Sequence, residues 1–432
     1  MFRWLAIRKG LILALPWSIW FLAMLFFIHQ YFLRLSISGL SPKLVVLFHL
    51  NMMQLSDISN AFFYTFIVMQ LLGGFLIDRI GARIMLTLGA LFMAAGCFVF
   101  ASSPDLSQLE FSRSLMGVGA PIGIIASVKL INSWFKKEYF QMLTGITIAV
   151  GSLGAFLGEG LLSVWIQNVN WRHLVVLAGF IALLLAVLMF LIIRNFPKDN
   201  AREMEKKEKI SLILSNVMHQ LGKKEIWLVM LSFGLLQIPM YSFFSLWAIH
   251  FIMIRFSESA EHASLVGASF FIFYAIGVIF FSSLYNKINH KISCMILATS
   301  IAMVFYIVMI YSPEINEPLL IFFIAVIGIL LGVAAFSYSF LRELSDNNSL
   351  ATMTAIMIVL SIILSTLKNN LIAWLIDDKH SVIATILNFA GYSLHVYERG
   401  LGLIILDFLC AIVLLALLGR HRKKEKSLRH AL

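Results

Sequence analysis

The chain reads as long apolar runs broken by short polar punctuation. A helix needs about 20 apolar residues to cross the hydrocarbon core of a bilayer. Runs of that length predict spans near 13–34, 58–77, 84–103, 109–133, 139–166 and 172–194, then near 226–254, 263–285, 292–312, 318–341, 350–374 and 400–419. Twelve helices result, six on each side of the longest charged segment. That segment, 195–225, contains "KDNAREMEKKEK" and reads as a linker. The chain therefore divides into a six-helix bundle over 1–194, the linker, and a second bundle with a basic tail over 226–432. Within the linker, "ISLILSNVMHQL" has the composition of an amphipathic helix lying at a membrane surface.

Composition agrees with that pattern. Of the 432 residues, 60% are hydrophobic and only 13% charged, and the mean hydropathy is +0.92. A water-exposed surface needs far more charge, so the apolar excess must face lipid. A net charge of +11 raises the question of nucleic acid, but the basic residues form no groove or patch and no such partner is expected. They cluster between and beyond the apolar runs. All but eight of the 33 lysines and arginines fall at the N-terminus, in the even-numbered connections, in the linker or in the C-terminal tail. That bias predicts both termini and the linker on the cytoplasmic side. Arg3, Arg8 and Lys9 precede a run too long for a secretory signal and without a small-residue cleavage site, so an uncleaved first span is expected. Cys97, Cys294 and Cys410 lie far apart inside apolar runs, with neither metal-binding nor disulfide spacing.

The connection between the second and third spans carries "GGFLIDRIGAR", which sets Asp78, Arg79 and Arg83 around Gly74 and Gly81. Glycines let helices approach closely, and a carboxylate is stabilised at the positive N-terminal end of a neighbouring helix. This order of residues resembles the signature between the second and third helices of major facilitator superfamily transporters. The resemblance implies an all-α membrane protein of two pseudo-symmetric six-helix bundles. It also implies a conformational latch in which the Asp78 carboxylate meets the N-terminus of the eleventh helix, around Asn348 and Ser349. A degraded copy lies 208 residues later in "SLYNKINHK", where Leu284, Asn286, Lys287, Ile288 and Lys291 stand for Leu76, Asp78, Arg79, Ile80 and Arg83. Asn286 has lost the charge and Asn289 replaces a glycine. Repeated bundles with a site between them are the usual plan of secondary transporters.

Charges inside the membrane are costly, about 2.5–3.5 kcal/mol each at mid-depth on insertion scales. Arg113 lies about one turn in from the outer end of the fourth span and Glu159 about two turns in from the outer end of the fifth, so antiparallel neighbours would hold them at similar depth. An Arg113–Glu159 ion pair is expected, with Glu110 as a competitor. Such a pair is either a static staple or a proton relay, because burial and a nearby guanidinium pull a carboxylate's protonation in opposite directions. Small residues accompany both: Gly117, Gly119 and Gly123 on the fourth span, and Gly151, Gly154 and Gly158 on the fifth. They predict close helix contact.

The stretches "SRSLMGVGAPIGIIASVKLINSWFKK", "TGITIAVGSLGAFLGEG" and "WRHL" resemble the fourth-to-sixth helix region of the anion:cation symporter branch of the superfamily. Similarity covers most of residues 25–195 and is weak afterwards. The Gly-Pro pair that drug:proton antiporters tend to carry in the fifth helix is missing. Some members of the branch use an arginine of the first helix for anionic substrates, which draws attention to Arg34, with Gln30 one turn before it. If the first helix ends near residue 34, Arg34 snorkels at an interface; if it continues past Ser36, Arg34 lies inside. Gln237, Tyr241 and Ser245 form a polar stripe on the seventh span, where Pro239 is able to bend the helix. Asn60 and Tyr64 form another on the second. His29 reads as a hydrogen-bonded interface residue, and Asp407, inside the last span, has no evident partner. The substrate-binding candidates are thus Gln30, Arg34, Tyr64, Gln237 and Tyr241.

The expected function is proton-coupled import of a small anionic or zwitterionic organic solute by alternating access, in a bacterial inner membrane and as a monomer. Its partners are the solute, protons or another cation, and the lipid bilayer. Proton-coupled efflux is the alternative, and a transport-dead sensor a third. No enzyme is expected: neither a phosphate-cradling Gly-x-x-x-x-Gly-Lys-[Ser/Thr] loop nor a His-Glu-x-x-His motif occurs, and neither a metal nor a cofactor is called for.

Overall fold

A computed structural model describes residues 2–195, 217–285, 287–345, 350–376 and 394–431. Twelve of its helices are long and apolar enough to cross a membrane. In chain order these are α1 (Leu15–Phe48), α2 (Met52–Ile77), α3 (Ala82–Ser102), α4 (Leu106–Trp134), α5 (Gly145–Asn168) and α6 (Trp171–Ile192). There follow α7 (Lys224–Phe256), α8 (Ala260–Leu284), α9 (Lys291–Tyr311), α10 (Glu317–Leu344), α11 (Thr352–Ile376) and α12 (Leu394–Arg422). Among the described residues every regular element is helical. The molecule is an all-α, multi-pass membrane protein.

Lipid cannot satisfy a backbone donor, so the helix starts are capped from within. Asn51 and Gln54 cap α2 reciprocally: the Gln54 amide donates to Asn51 Oδ1 at 2.8 Å, and the Asn51 amide to Gln54 Oε1 at 2.9 Å. Asp105 accepts from the Gln108 amide before α4, Ser259 from that of His262 at α8, and Asn316 from that of Leu319 at α10. The faces of α6 show the packing rule. Leu177, Phe180, Ile181, Leu184, Val187 and Leu191 are exposed at helical spacing, while Ala178, Gly179, Ala182 and Ala186 are buried. Large apolar residues meet lipid, and small ones let backbones approach.

The largest departure from the sequence expectation is at α1. The run predicted to end near residue 34 continues as helix to Phe48, through Ser36, Ser38, Ser41 and Pro42. The three serines are buried, so this stretch packs against protein and does not need an apolar surface. Of the predicted amphipathic linker helix only 217–221 are described, and they are helical.

Contacts divide the chain into two compact units. The first comprises Met1–Arg34, Ala61–Ala155 and Asn168–Lys207. The small-residue stripes predicted for α4 and α5 are contact faces in it: Gly117 lies against the Phe62 carbonyl of α2, and Gly154 against the Ile28 carbonyl of α1. The second comprises Leu35–Asn60, Phe156–Gln167 and Glu208–Leu432. It gathers α7–α12 together with one end each of α1, α2 and α5.

Candidate functional site

In the first unit the two arginines singled out in the sequence are both buried, with different neighbours. Arg34 lies mid-helix on α1. Its guanidinium carbon is 4.9 Å from the ring centre of Phe63, 5.4 Å from that of Tyr31 and 5.7 Å from that of Phe66. A cation over aromatic faces is stabilised without losing its charge. Gln30, one turn earlier, is buried as well. The helix continuing past Ser36 is what moves Arg34 from an interface to the interior.

Arg113 on α4 corrects an expectation. Its Nη1 donates to the Leu33 carbonyl at 2.6 Å and its Nη2 to the Arg34 carbonyl at 3.1 Å, with the guanidinium carbon 4.8 Å from the Phe62 ring centre. The planar fork thus grips two successive carbonyls of α1, a geometry lysine cannot reproduce. That engagement, inside the first unit, leaves neither arm for the ion pair expected with Glu159. Both donating arms are taken by α1. His29 is hydrogen-bonded as expected, its Nε2 lying 3.0 Å from the Ala178 carbonyl of α6, but it is buried mid-helix and not at an interface.

At the signature, α2 runs to Ile80 as helix and α3 starts at Ala82. Gly81 between them has φ +96°, which a side chain would strain, and an added Cβ would also run into Asn195. Arg83 fastens the turn: its amide donates to Asn195 Oδ1 at 2.9 Å, its Nε donates to the Phe190 carbonyl at 2.7 Å, and it lies over the Phe190 ring. Arg79 lies over Phe75. At Gly74 an added Cβ would meet nothing within 4 Å. Asn348 and Ser349, the partners expected for Asp78 in the latch, lie outside the described residues.

In the second unit Glu159 occupies a π-helical turn, Leu157–Leu161, on α5. Its side chain is completely buried, and neither carboxylate oxygen meets a donor at hydrogen-bonding geometry. The buried Ser38 hydroxyl is the polar group beside it. Oε1 faces the Cα of Gly267 on α8. The Glu159 backbone carbonyl accepts from the Ser264 hydroxyl, also on α8. On the other side, Gly39 of α1 is pressed against the Gly158 and Glu159 carbonyls; a Cβ there would lie 2.7 Å from each. An acid is held in a crevice walled by glycine and backbone.

Pro239 does more than bend α7. It opens a π-helical stretch, Pro239–Trp247, between two α-helical segments. Proline removes a ladder donor and clashes with the preceding turn, and the wider π spacing relieves both. The predicted Gln237–Tyr241–Ser245 stripe is buried. Gln237 Oε1 accepts from the Tyr274 hydroxyl at 3.2 Å, and Ser245 bonds back to the Tyr241 carbonyl. Asn60 and Tyr64 part company: Asn60 is fully buried, whereas Tyr64 is about half exposed.

The sequence reading missed a polar run on α11. Lys368, Asn369 and Asn370 are consecutive, and each engages a different helix. Lys368 Nζ pairs with Asp407 Oδ2 of α12 at 3.0 Å, which supplies the partner Asp407 lacked. Asn369 Oδ1 accepts from Ser242 Oγ at 2.6 Å and Trp247 Nε1 at 3.3 Å, both in the π stretch of α7. Asn370 Oδ1 accepts from Asn60 Nδ2 at 2.6 Å and Ser56 Oγ at 3.1 Å on α2. Three polar residues in a row inside an apolar span were the signal, since each must find a partner in lipid.

Residues 19–367 match the Major Facilitator Superfamily. Among curated relatives, the nitrate/nitrite transporter NrtP of Nostoc punctiforme is 28% identical over 176 residues, 39% of this chain and 34% of that protein. A galacturonate transporter of Dickeya chrysanthemi is 24% identical over 192 residues, 44% of this chain and 55% of its own length. A putative multidrug resistance protein, MdtD of Serratia proteamaculans, is 22% identical over 193 residues, 44% of this chain and 39% of that protein. These alignments cover only about a third to about half of each relative. Among solved structures, a bacterial homologue of the human lysosomal transporter Spinster, inward-facing and occupied, superposes with a TM-score of 0.75 at 14% identity, over 94% of this chain and 97% of that one. The D-xylose-proton symporter superposes at 0.70 with 16% identity, over 93% and 97%. Signature turn, twelve spans and family match agree, and the chain belongs to the Major Facilitator Superfamily.

Proposed function

We propose that this protein is a secondary transporter of a bacterial inner membrane that imports a small anionic or zwitterionic organic solute together with protons. Two six-helix bundles, 1–194 and 226–432, would rock about the linker 195–225 to give alternating access, with both termini cytoplasmic. The observation that carries the anionic reading is Arg34, a guanidinium buried mid-helix among aromatic rings on α1, with Gln30 beside it. A planar fork in such surroundings recognises a carboxylate bidentately, and the low dielectric strengthens the attraction. Arg113 supports it from behind by gripping the α1 carbonyls at Leu33 and Arg34. The nitrate/nitrite and galacturonate transporters among the relatives carry anions, in keeping with this chemistry.

Glu159 is the proposed proton carrier. A carboxyl with no ion-pair partner among the described residues, beside one hydroxyl and two glycines, is suited to exchanging a proton when its crevice opens. Gln237 and Tyr241 on α7, and Tyr64 on α2, are the further solute contacts proposed. Drug efflux is the second reading, favoured by the MdtD relatives.

Uptake of a labelled sugar acid into energised membrane vesicles separates these readings. Import predicts accumulation that a protonophore collapses, and a loss of at least about tenfold in Arg34→Gln, the size of one charge-assisted contact. Glu159→Gln is expected to keep solute exchange and lose accumulation against a gradient. Export from everted vesicles, with raised resistance to toxic compounds, would replace import by efflux. Proton dependence unchanged in Glu159→Gln would remove that residue as carrier.

A further inference from the structure

Three side chains from separate segments of the second unit converge where α8 and α10 begin. Glu258 stands in the turn after α7, His262 in the first turn of α8, and Glu317 at the first position of α10. One ligand atom of each lies within 4.8 Å of the other two. His262 Nε2 and Glu317 Oε1 are 2.6 Å apart, although 55 positions separate them in the chain. We propose that this cluster is a binding site for a divalent transition-metal cation, Zn2+ in the first instance. The proposal is independent of the solute and proton reading above.

The donor set selects the metal. One imidazole nitrogen and two carboxylate oxygens suit borderline cations such as Zn2+, whereas Mg2+ and Ca2+ favour oxygen alone. With Zn–N and Zn–O bonds near 2.1 Å, tetrahedral ligands stand about 3.4 Å apart. The separations in the cluster, 2.6 Å between His262 and Glu317 and all within 4.8 Å, bracket that value. The His262 and Glu317 side chains are about two-fifths exposed, so an ion has access and water can complete the shell.

Local charge points the same way. In a chain of net charge +11, the short segments 256–263 and 312–318 hold Glu258, Glu261, Glu314 and Glu317 and no lysine or arginine. Arg255, three residues before Glu258, is committed elsewhere: its guanidinium donates to the Ile310 and Ser312 carbonyls and faces Glu398. Two carboxylates brought together beside one imidazole repel each other unless a cation joins them, and one divalent ion neutralises both. The frame is preset as well. Gly328 of α10 lies against Phe273 and Phe270 of α8, with an added Cβ 3.0 Å from the Phe273 side chain, so the two helices keep a fixed register. The caps of Ser259 and Asn316 fix the first turns that carry His262 and Glu317. A bound ion would tie the turn after α7 to the start of α10.

Zn2+ titration of the full-length protein in detergent tests this, with EDTA reversal and the thermal midpoint as readout. Micromolar Zn2+ is expected to raise the midpoint by at least about 2 °C through preferential binding to the folded state. Co2+ in its place should give visible d–d absorption bands. His262→Ala and the isosteric Glu317→Gln should each abolish both signals, while His290→Ala, outside the cluster, should keep them. No shift and no d–d bands in wild type at 100-fold excess metal would overturn the proposal. So would signals that survive in the His262→Ala/Glu317→Gln double variant, because the metal would then bind elsewhere.

Discussion

A charge inside a membrane helix has to be answered locally, and this protein answers its charges in different ways. Arg113 is answered by two backbone carbonyls, Arg34 by aromatic faces, and Lys368 by Asp407. Only the chain position of these residues is legible in the sequence. Arg113 and Glu159 looked like partners because both are charged and at similar depth; the α1 carbonyls took the guanidinium because they offer two aligned acceptors to a planar donor. Lys368 and Asp407 are 39 positions apart on neighbouring helices, and nothing local announces their meeting. Removing one partner of a mostly buried pair strands the other, at a cost of about 3–5 kcal/mol, whereas replacing both by apolar residues of similar volume is often neutral. Lys368→Met alone should therefore lower the thermal midpoint clearly, and Lys368→Met/Asp407→Leu should recover most of the loss. A double variant as unstable as the single one would show that the pair is not what holds α11 to α12.

Element boundaries follow from the same physics at a larger scale. Hydropathy finds α3, α6 and α9 nearly to the residue because much of their surface meets lipid. It underestimates α1, whose turns just after Arg34 are rich in serine and buried against protein. Helix type is harder still. Pro239 signals a bend, but the nine-residue π stretch it opens depends on what α7 packs against, including the Ser242 and Trp247 bonds to Asn369. Closing the stretch into regular α-helix would rotate one side of α7 against the other by on the order of 100° per residue of register. Pro239→Ala is accordingly expected to leave the protein folded, with an unchanged helical circular dichroism signal, and to cut solute uptake severalfold. Wild-type uptake would mean that neighbouring helices, and not the proline, maintain the π geometry.

At the scale of the whole molecule, the second unit draws in ends of α1, α2 and α5 with α7–α12. Gly39 on the Glu159 carbonyl, Ser264 on the same atom, and Asn370 on Asn60 and Ser56 are its fastenings. In the proposed alternating-access cycle such contacts would have to form and break, so each would have to be weak enough to release. The proposed Asp78 latch follows that rule, since helix-end attraction of a carboxylate is worth at most about 2 kcal/mol. Asp78→Asn should therefore keep expression and thermal stability while slowing turnover several-fold. Turnover equal to wild type in a folded Asp78→Asn protein would defeat the latch.

The sequence by itself determined the class of molecule: length and apolarity of the runs dictate twelve spans, because lipid admits only chains that satisfy their own backbone, and Gly81 with Arg83 dictates the α2–α3 turn. Only the tertiary structure decided which polar side chains meet, as with Lys368 and Asp407, Asn370 and Asn60, or Glu258, His262 and Glu317. Spans are set by the local cost of transfer into lipid, which is additive along the chain. Partners are set by which helix faces are brought together, and that depends on every other contact in the bundle.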